Sequence, residues 1–596
     1  MAGIVVHLLG RPEIERGGTV CASPRGRKAW AVLAYVVLAE RPVSRARLAA
    51  MLFSEAEDPL GALRWTLAEL RRALQVSTML RGDPLSLMLP ADAEVDVLAL
   101  GSGNGGAELV RGELLEDCDP GVGGAFDAWL LVERRRLAGA SGGVLREAAL
   151  KSLVIGLAME GAGLASRALS LDPLDESLHE LLVRCLARAG QVGAARHQAT
   201  VCELLFQREL GRPPDSRVRR AADAVEASGP PPIGDRAAAL GQMEAGVAAM
   251  AAGAAEPGVA CLRLACAEAR ALGDGRVLAR VLVTLGGALV HAVRGRDEEG
   301  AAVLHEALAV GDAAGERAVM VEACRELGYI EVQAGRGAAA GHLLQKATLL
   351  AVGDGERAAV LGVRGMALSD RAHYGAAIEL LRESVAAADR EKDTRQAAWS
   401  LALLGRALLL CDELAEAAAV LDRALELVKG DGWVAFAPFP ETMRGEVALR
   451  RGDLAQAQGL LRHAFSLGCR LGDPCWEALA ARAIGLVHDA RGETGQALEC
   501  LRDAAARAVR VADPYLWVYA YCLEALAGVA LHAGADDARE TVQALERVAA
   551  RCDMRELVVR AAKHRAFLGD SAGIEAVGPL LAAIGNPALW SAVQAG

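Results

Sequence analysis

One residue column constrains this chain more than any other feature, because it recurs seven times at a nearly constant interval. Gly246, Ala288, Gly328, Gly365, Gly405, Gly445 and Gly485 stand 42, 40, 37, 40, 40 and 40 residues apart. Seven residues further on, five of the seven meet a glycine: Gly253, Gly295, Gly335, Gly452 and Gly492. Sixteen residues on, every one meets a leucine, from Leu262 to Leu501, and nineteen on stand six alanines and Ser384. A register of this kind describes one unit repeated: a helix, a tight turn needing a small residue, and a second helix. Small residues fit where two helices cross closely, and Leu where they bury each other. A lone hairpin cannot cover its own apolar face, so neighbours must stack. The spacing predicts a right-handed α-solenoid over residues 237–550, with a degenerate further unit around Gly534 and a helical cap over 551–596.

Composition agrees with helices. Of 596 residues 53% are hydrophobic but only 4% aromatic, so the apolar content is mostly Ala, Leu and Val, and Ala and Leu are strong helix formers. The net charge of −11 argues against the whole chain coating nucleic acid, yet says little about one domain of it. Residues 1–98 carry 12 basic and 11 acidic side chains, and within 24–72 the balance is 9 to 5. The acidity therefore lies after the N-terminal region. The 13 cysteines are scattered without a Cys-x-x-Cys pair, which fits a reducing cytoplasm. The longest apolar helix read from the sequence, Ala29–Ala39, falls short of the ~20 residues that span a bilayer, so no membrane contact is expected.

The N-terminal region reads as strands, three helices and a hairpin. Ile4–Leu9 is β-rich, and Thr19-Val20 returns as a second strand. Arg27–Glu40 forms a buried first helix, and Ser44 caps a second over Arg45–Phe53. A third helix spans Leu60–Gln75, two strands flank Arg81-Gly82-Asp83-Pro84, and Val95-Asp96-Val97 closes a sheet. That order is a winged helix-turn-helix. In the third helix Leu60, Leu63, Leu67, Leu70 and Leu74 form one apolar stripe, with Trp65, Glu69 and Arg72 opposite and Arg64 and Thr66 on the flanks. A Trp turned away from a core suggests a partner.

A helix fits the major groove, where base edges differ in donors and acceptors. Arg64, Thr66 and Arg72 are candidate donors to bases, Trp65 a contact to a thymine methyl, and Glu69 an acceptor for cytosine N4. Each has a plainer alternative: Arg71 and Arg72 complement the helix dipole, Glu69 orients a neighbouring Arg, and Trp65 packs on the second helix. Arg27, Lys28, Arg45, Arg47, Arg71 and Arg81 are candidate phosphate contacts, or else solvated surface charges.

The phrases PRGRKAWAVLAYVVLAERPVSRARLAAMLF, ALRWTLAELRRAL and DPLSLMLPADAEVDV resemble the DNA-binding module of SARP-type bacterial transcriptional activators. The block that follows resembles the helical bacterial transcriptional activator domain of that family. It carries Gly112-Glu113-Leu114-Leu115, Phe126-Asp127-x-Trp129-Leu130, Glu133-Arg134-x-Arg136-Leu137, Ala168-Leu169-x-Leu171-Asp172-Pro173-Leu174-Asp175-Glu176 and Glu209-Leu210-Gly211. The resemblance covers about residues 1–225 and divides the chain into a winged helix-turn-helix at 1–98 and an activator domain at 106–226. A linker at 227–236 holds Ser228-Gly229-Pro230-Pro231-Pro232. It implies double-stranded promoter DNA and RNA polymerase as partners, a homodimer on direct repeats, and a place in the cytoplasm at the nucleoid. The repeats resemble the tetratricopeptide class, though about 40 residues exceeds its usual 34, and their concave face is the natural seat of a protein or peptide. Glu69 departs from the Arg common at that position in related response-regulator helices.

Catalysis has no visible seat. No Gly-Lys dipeptide occurs, which excludes a standard P-loop. The ATPase module that larger members of the family carry is thus missing. There is no His-Glu-x-x-His and no paired Cys/His metal spacing, and the 11 histidines are scattered singly. No catalytic residue, cofactor or metal is expected. The fold class is mostly α: a small α+β winged domain, an all-α helical-hairpin domain and an α-solenoid. The functional expectation is a sequence-specific activator with a repeat array that senses or docks a partner. The alternative is a non-catalytic signalling scaffold.

Overall fold

A computed structural model of the chain describes residues 3–594 except 40, 77–79, 91–92, 102–105, 119, 122–123, 224–233, 252–253, 293 and 571. Residues 227–233 of the expected linker, Gly253 and residues 77–79 of the hairpin's first strand lie outside the described residues. The chain divides into two units, Met1–Val144 with Ala530–Gly596, and Leu145–Val529.

The first unit opens with β1 (Ile4–His7) and β2 (Glu13–Arg16), antiparallel with His7 opposite Glu13. Next, β3 (Thr19–Val20) extends the edge beyond β2, and β4 (Glu94–Val95) pairs parallel with β1, giving the order β3-β2-β1-β4. The expected closing strand stops at Val95, because Asp96 begins a helix. Its buried carboxylate accepts hydrogen bonds from the N–H groups of Leu8, Leu9 and Val97, so it ties the end of β1 to that helix start. Three helices pack beside the sheet. α1 (Arg27–Leu38) is buried from Ala29 to Val37, as its unbroken apolar run requires. α2 (Arg45–Phe53) starts at Ser44, whose side chain accepts from the Arg47 N–H. α3 (Pro59–Leu74) is capped by Asp58 on the Gly61 N–H, has Pro at its first position, and ends at Gln75 in the left-handed conformation, φ 53°. Each cap satisfies donors or acceptors that a helix end leaves open.

Among the described residues around 81–84 the structure has single bridges, Arg81 with Ser86 and Val43 with Leu85. The short hairpin thus hydrogen-bonds to the turn that precedes α2.

In the second unit, helices pair along the sequence as the repeat column requires. Six column glycines face their leucine sixteen residues on. A Cβ at Gly365, Gly405 or Gly445 would lie 2.4–2.6 Å from a Leu381, Leu421 or Leu461 atom, and Gly328, Gly485 and Gly246 make the same approach. The second unit of the array corrects the column: its close approach is Gly286 on Leu304, at 2.5 Å, not Ala288. Five residues connect the helices Gly275–His291 and Asp297–Ala314 there, against three between Arg317–Gln333 and Gly337–Leu350. The longer turn shifts the register by two. The second column marks left-handed backbone rather than mere smallness. Gly295, Gly335, Gly452 and Gly492 have φ of 70–79°, and Ala372 and Asp412 adopt φ 60° and 65° in the same place.

The helix Leu516–Ala533 corrects the reading of apolar length. It is 18 residues long and apolar enough to cross a membrane, but 67% of it is buried within the molecule, the environment of a core helix.

Candidate nucleic-acid interface

The side chains of α3 divide into an anchored and a presented face. Leu63, Thr66, Leu67, Leu70, Ala73 and Leu74 are buried, while Trp65 is 54% and Leu60 44% exposed. Leu60 therefore leaves the expected stripe and joins Trp65 outside. Thr66 must be struck from the base-contact candidates: it is 3% exposed, and its hydroxyl donates to the Ala62 carbonyl at 2.9 Å. At about 100° per residue it falls beside Leu63 and Leu70, on the core side of the helix.

The presented face carries three charged groups in defined pairings. Arg64 reaches the Asp58 carboxylate at 3.3 Å, with both side chains about two-thirds exposed. Arg72 Nη2 donates to Glu69 Oε2 at 2.6 Å. The hydrogen bond from Arg72 holds the Glu69 carboxyl below its ordinary range, and the Arg25 backbone N–H adds to this. Glu69 thus pairs with Arg72 on its own helix and with the loop before α1 through the Arg25 N–H.

Arg71 lies on the other side of Arg72, and its Nη2 donates to the Leu80 carbonyl. It links the end of α3 to the hairpin. Burial lowers its pKa, and the like charges of Arg45 and Arg81 lower it further. A cleft of about 650 Å³ opens between the end of α3 and the hairpin, lined by Arg71, Arg72, Gln75 and Arg81. Arg45 is also committed to the hairpin: its Nε donates to the Gly82 carbonyl at 2.8 Å, and its N–H to Asp83 at 3.0 Å. Arg47 Nη2 donates to the Glu575 carbonyl at 2.8 Å. Arg27 is exposed, and the Lys28 ammonium lies 5.3 Å over the Phe53 ring.

Sequence reasoning missed Gln75, Arg16 and Arg25. Arg16 on β2 donates to the Leu74 carbonyl at 2.8 Å and closes the end of α3. No local pattern announces a bond across 58 residues. It also missed a cross-strand cluster in which His7, Glu13 and Glu15 bring ligand-type atoms within 4.8 Å of one another. Arg111 pairs with that Glu13.

One Gly-x-Ser-x-Gly spacing does occur, Gly139-Ala140-Ser141-Gly142-Gly143. It lies inside the helix Gly124–Val154, with Ser141 buried at 2%. A nucleophile elbow needs a strand-to-helix turn that exposes its serine, so this is a packing sequence.

The first helices of successive pairs, which touch one another along the array, carry buried charges that bond across many repeats. Arg406 donates to Asp370 at 2.6 Å and to the Tyr515 hydroxyl at 2.8 Å, and lies 4.3 Å over the Trp517 ring. Arg482 donates to Glu446 at 3.0 Å, and the Tyr521 hydroxyl donates to the same carboxylate at 2.9 Å. Outside those helices, the exposed Arg294 in the turn before Asp297–Ala314 pairs with Asp473, and the buried Arg217 of the helix Ser216–Asp223 pairs with Asp513. A partner seated on these helices meets side chains that already bond within the chain.

Residues 98–226 match the family model of the bacterial transcriptional activator domain. In this stretch Asp175 caps the helix Glu176–Arg188 by accepting from the Ser177 and Leu178 N–H groups, and Gly211 ends Val192–Leu210 at φ 66°. No curated protein matches the chain. Among solved structures, a Rap protein complexed with competence and sporulation factor is 12% identical, with a TM-score of 0.42, over 60% of this chain and 98% of that one. Mycobacterium tuberculosis EmbR, in complex with a low-affinity phosphopeptide, is 17% identical, with a TM-score of 0.28, over 38% of this chain and 65% of that one. NprR with its cognate peptide NprX is 12% identical, with a TM-score of 0.37, over 56% of this chain and 88% of that one. The class is that of proteins bearing a bacterial transcriptional activator domain. An array of helix pairs follows this domain along the chain.

Proposed function

We propose that residues 1–98 form a winged helix-turn-helix that reads double-stranded promoter DNA through α3, and that the protein recruits RNA polymerase from the bound site. The observation that carries this reading is the presented face of α3. An exposed Trp65 lies between Arg64 and an Arg72 paired with Glu69, and an arginine-lined cleft adjoins it at the hairpin. That combination suits base edges flanked by phosphates. Residues 106–226 are the activator domain of the reading, 227–236 its linker, 237–550 a repeat array that docks or senses a partner, and 551–596 a cap. Two copies on a direct repeat would bind as a dimer.

A second reading, a scaffold whose N-terminal domain binds protein, draws on the exposed Trp65 and Leu60. Titration of promoter fragments at several salt concentrations separates the two, since each phosphate contact contributes about −0.9 to the slope of log affinity against log salt. A scaffold has no such slope. Arg64→Ala and Arg72→Ala should relax sequence preference by roughly 1–3 kcal/mol, while Arg27→Ala should weaken all sequences alike. Equal losses from all three with preference unchanged would sink the assigned roles.

A further inference from the structure

The last helices of the chain belong to the same unit as its first domain, and they are fastened there at three places. On the helix Gly124–Val154, Gly139 meets the chain at Arg551 so closely that a Cβ would lie 2.2 Å from the Arg551 carbonyl oxygen. One turn earlier, Arg135 reaches Glu546 at 3.3 Å. The third fastening is Arg47, near the start of α2. Its guanidinium donates to the Glu575 carbonyl at 2.8 Å, in the helix Ala572–Ile584, and also bonds the Tyr35 side chain. Gly578 lies against the same group, since a Cβ there would sit 3.4 and 3.6 Å from the two Arg47 Nη atoms.

A main-chain carbonyl is an oxygen acceptor, as a phosphate oxygen is, but carries no formal charge. Arg47 is thus held by the weaker of two acceptors of the same kind. Hydrogen bonds in which one partner is charged gain when the other is charged too. We propose that the helix Ala572–Ile584 competes with DNA for Arg47: docked, it occupies the guanidinium, and released, it leaves Arg47 to a backbone phosphate. This rests on the DNA-binding reading above, and it makes the C-terminal helices a brake on that activity.

The test uses the full chain and a mixed-sequence duplex. Gly578→Asp sets a carboxylate beside Arg47 and should lower affinity roughly tenfold, the weight of one charge-assisted hydrogen bond, with a salt slope shallower by about 0.9. Gly139→Ala forces the fastening at Arg551 apart and should raise affinity. In an Arg47→Ala background both effects should vanish. Hydrogen exchange of residues 572–584 in the unmodified protein should quicken when the duplex is added, a readout that survives if a variant fails to fold. Affinity indifferent to Gly578→Asp, or exchange unchanged at saturating duplex, would overturn the proposal while leaving DNA binding intact. A duplex that does not bind at all would overturn both.

Discussion

Replacing Gly405 by alanine should destabilise the repeat array, against the usual effect of that substitution in a helix. The added Cβ would lie 2.4, 2.6 and 3.1 Å from the Cγ, Cδ2 and Cδ1 atoms of Leu421, whereas carbon atoms rest about 3.5–4.0 Å apart. Leu421 is fully buried and has no free direction in which to turn, so the two helices must part by roughly 1 Å if contact distance is to be restored. Overpacking of this kind costs about 1–3 kcal/mol. Alanine returns up to about 1 kcal/mol of helix propensity, which leaves a net loss of roughly 1–2 kcal/mol. Gly459 supplies the control. It lies within the helix Leu454–Leu471 with nothing within 4 Å of its Cβ position, so Gly459→Ala should stabilise by up to about 1 kcal/mol. Native-state hydrogen exchange of amides in the helices Thr394–Leu410 and Leu414–Asp431 reads the loss locally, which suits a chain of several units better than one melting temperature. Leu421→Ala on its own should cost about 2–5 kcal/mol. Combined with Gly405→Ala it should cost at least ~1 kcal/mol less than the two changes added, because each relieves the other. If Gly405→Ala proves neutral or stabilising, close helix crossing is not what the repeat column encodes.

Other outcomes follow from single sites. Lys392 ends the helix Tyr374–Glu391 at φ 59°, where Gly273, Gly315, Gly432 and Gly472 end corresponding helices at 66–73°. It is exposed, so Lys392→Gly should stabilise by about 1 kcal/mol, seen as a higher urea midpoint; a lower midpoint would refute the assignment. Burial alone would raise the Glu326 carboxyl, but Arg325 and His291 outweigh it and hold the group at about 2, against 4.5 ordinarily. A depressed acid adds stability above its unfolded value and loses it as pH falls through the folded one. Roughly 3 kcal/mol should therefore drain away between pH 4.5 and about 2. Glu326→Gln should flatten that part of the stability curve, and an unchanged acid limb would show that the pairing does not form.

The features legible in the sequence were those that repeat or alternate at short range. The Gly–Leu register found the helix pairs because one steric requirement recurs in each. It failed at Ala288, where two extra turn residues move the contact to Gly286, since a column counted along the chain assumes turns of equal length. On α3 the leucine spacing located the core side, yet Leu60 and Thr66 exchanged places. Near a helix start the core covers a narrower arc, and a threonine hydroxyl satisfied by the Ala62 carbonyl can be buried at little cost. The roles of Arg45, Arg47 and Arg71 were hidden because their acceptors are main-chain carbonyls at Gly82, Glu575 and Leu80, and a carbonyl has no letter in the sequence. The histidines looked solitary for a similar reason: His291 and His305 meet Glu326 and Glu147 only after folding.

The buried charges of the array alter how such a chain must fold. A simple stack of repeats contacts only its neighbours, so its ends can fray and its middle can form first. Here Arg406 waits for Tyr515, 109 residues later, and Arg217 for Asp513, 296 residues later. During synthesis Arg406 finds Asp370 and Arg217 finds Glu180 first, and each gains its later partner only when residues 513–515 are made. Completion of the array is therefore tied to its last members. Truncation near residue 510 should not simply give a shorter solenoid but one in which Arg406 and Arg217 keep Asp370 and Glu180 and lose Tyr515 and Asp513, and the full array should melt as a single cooperative body.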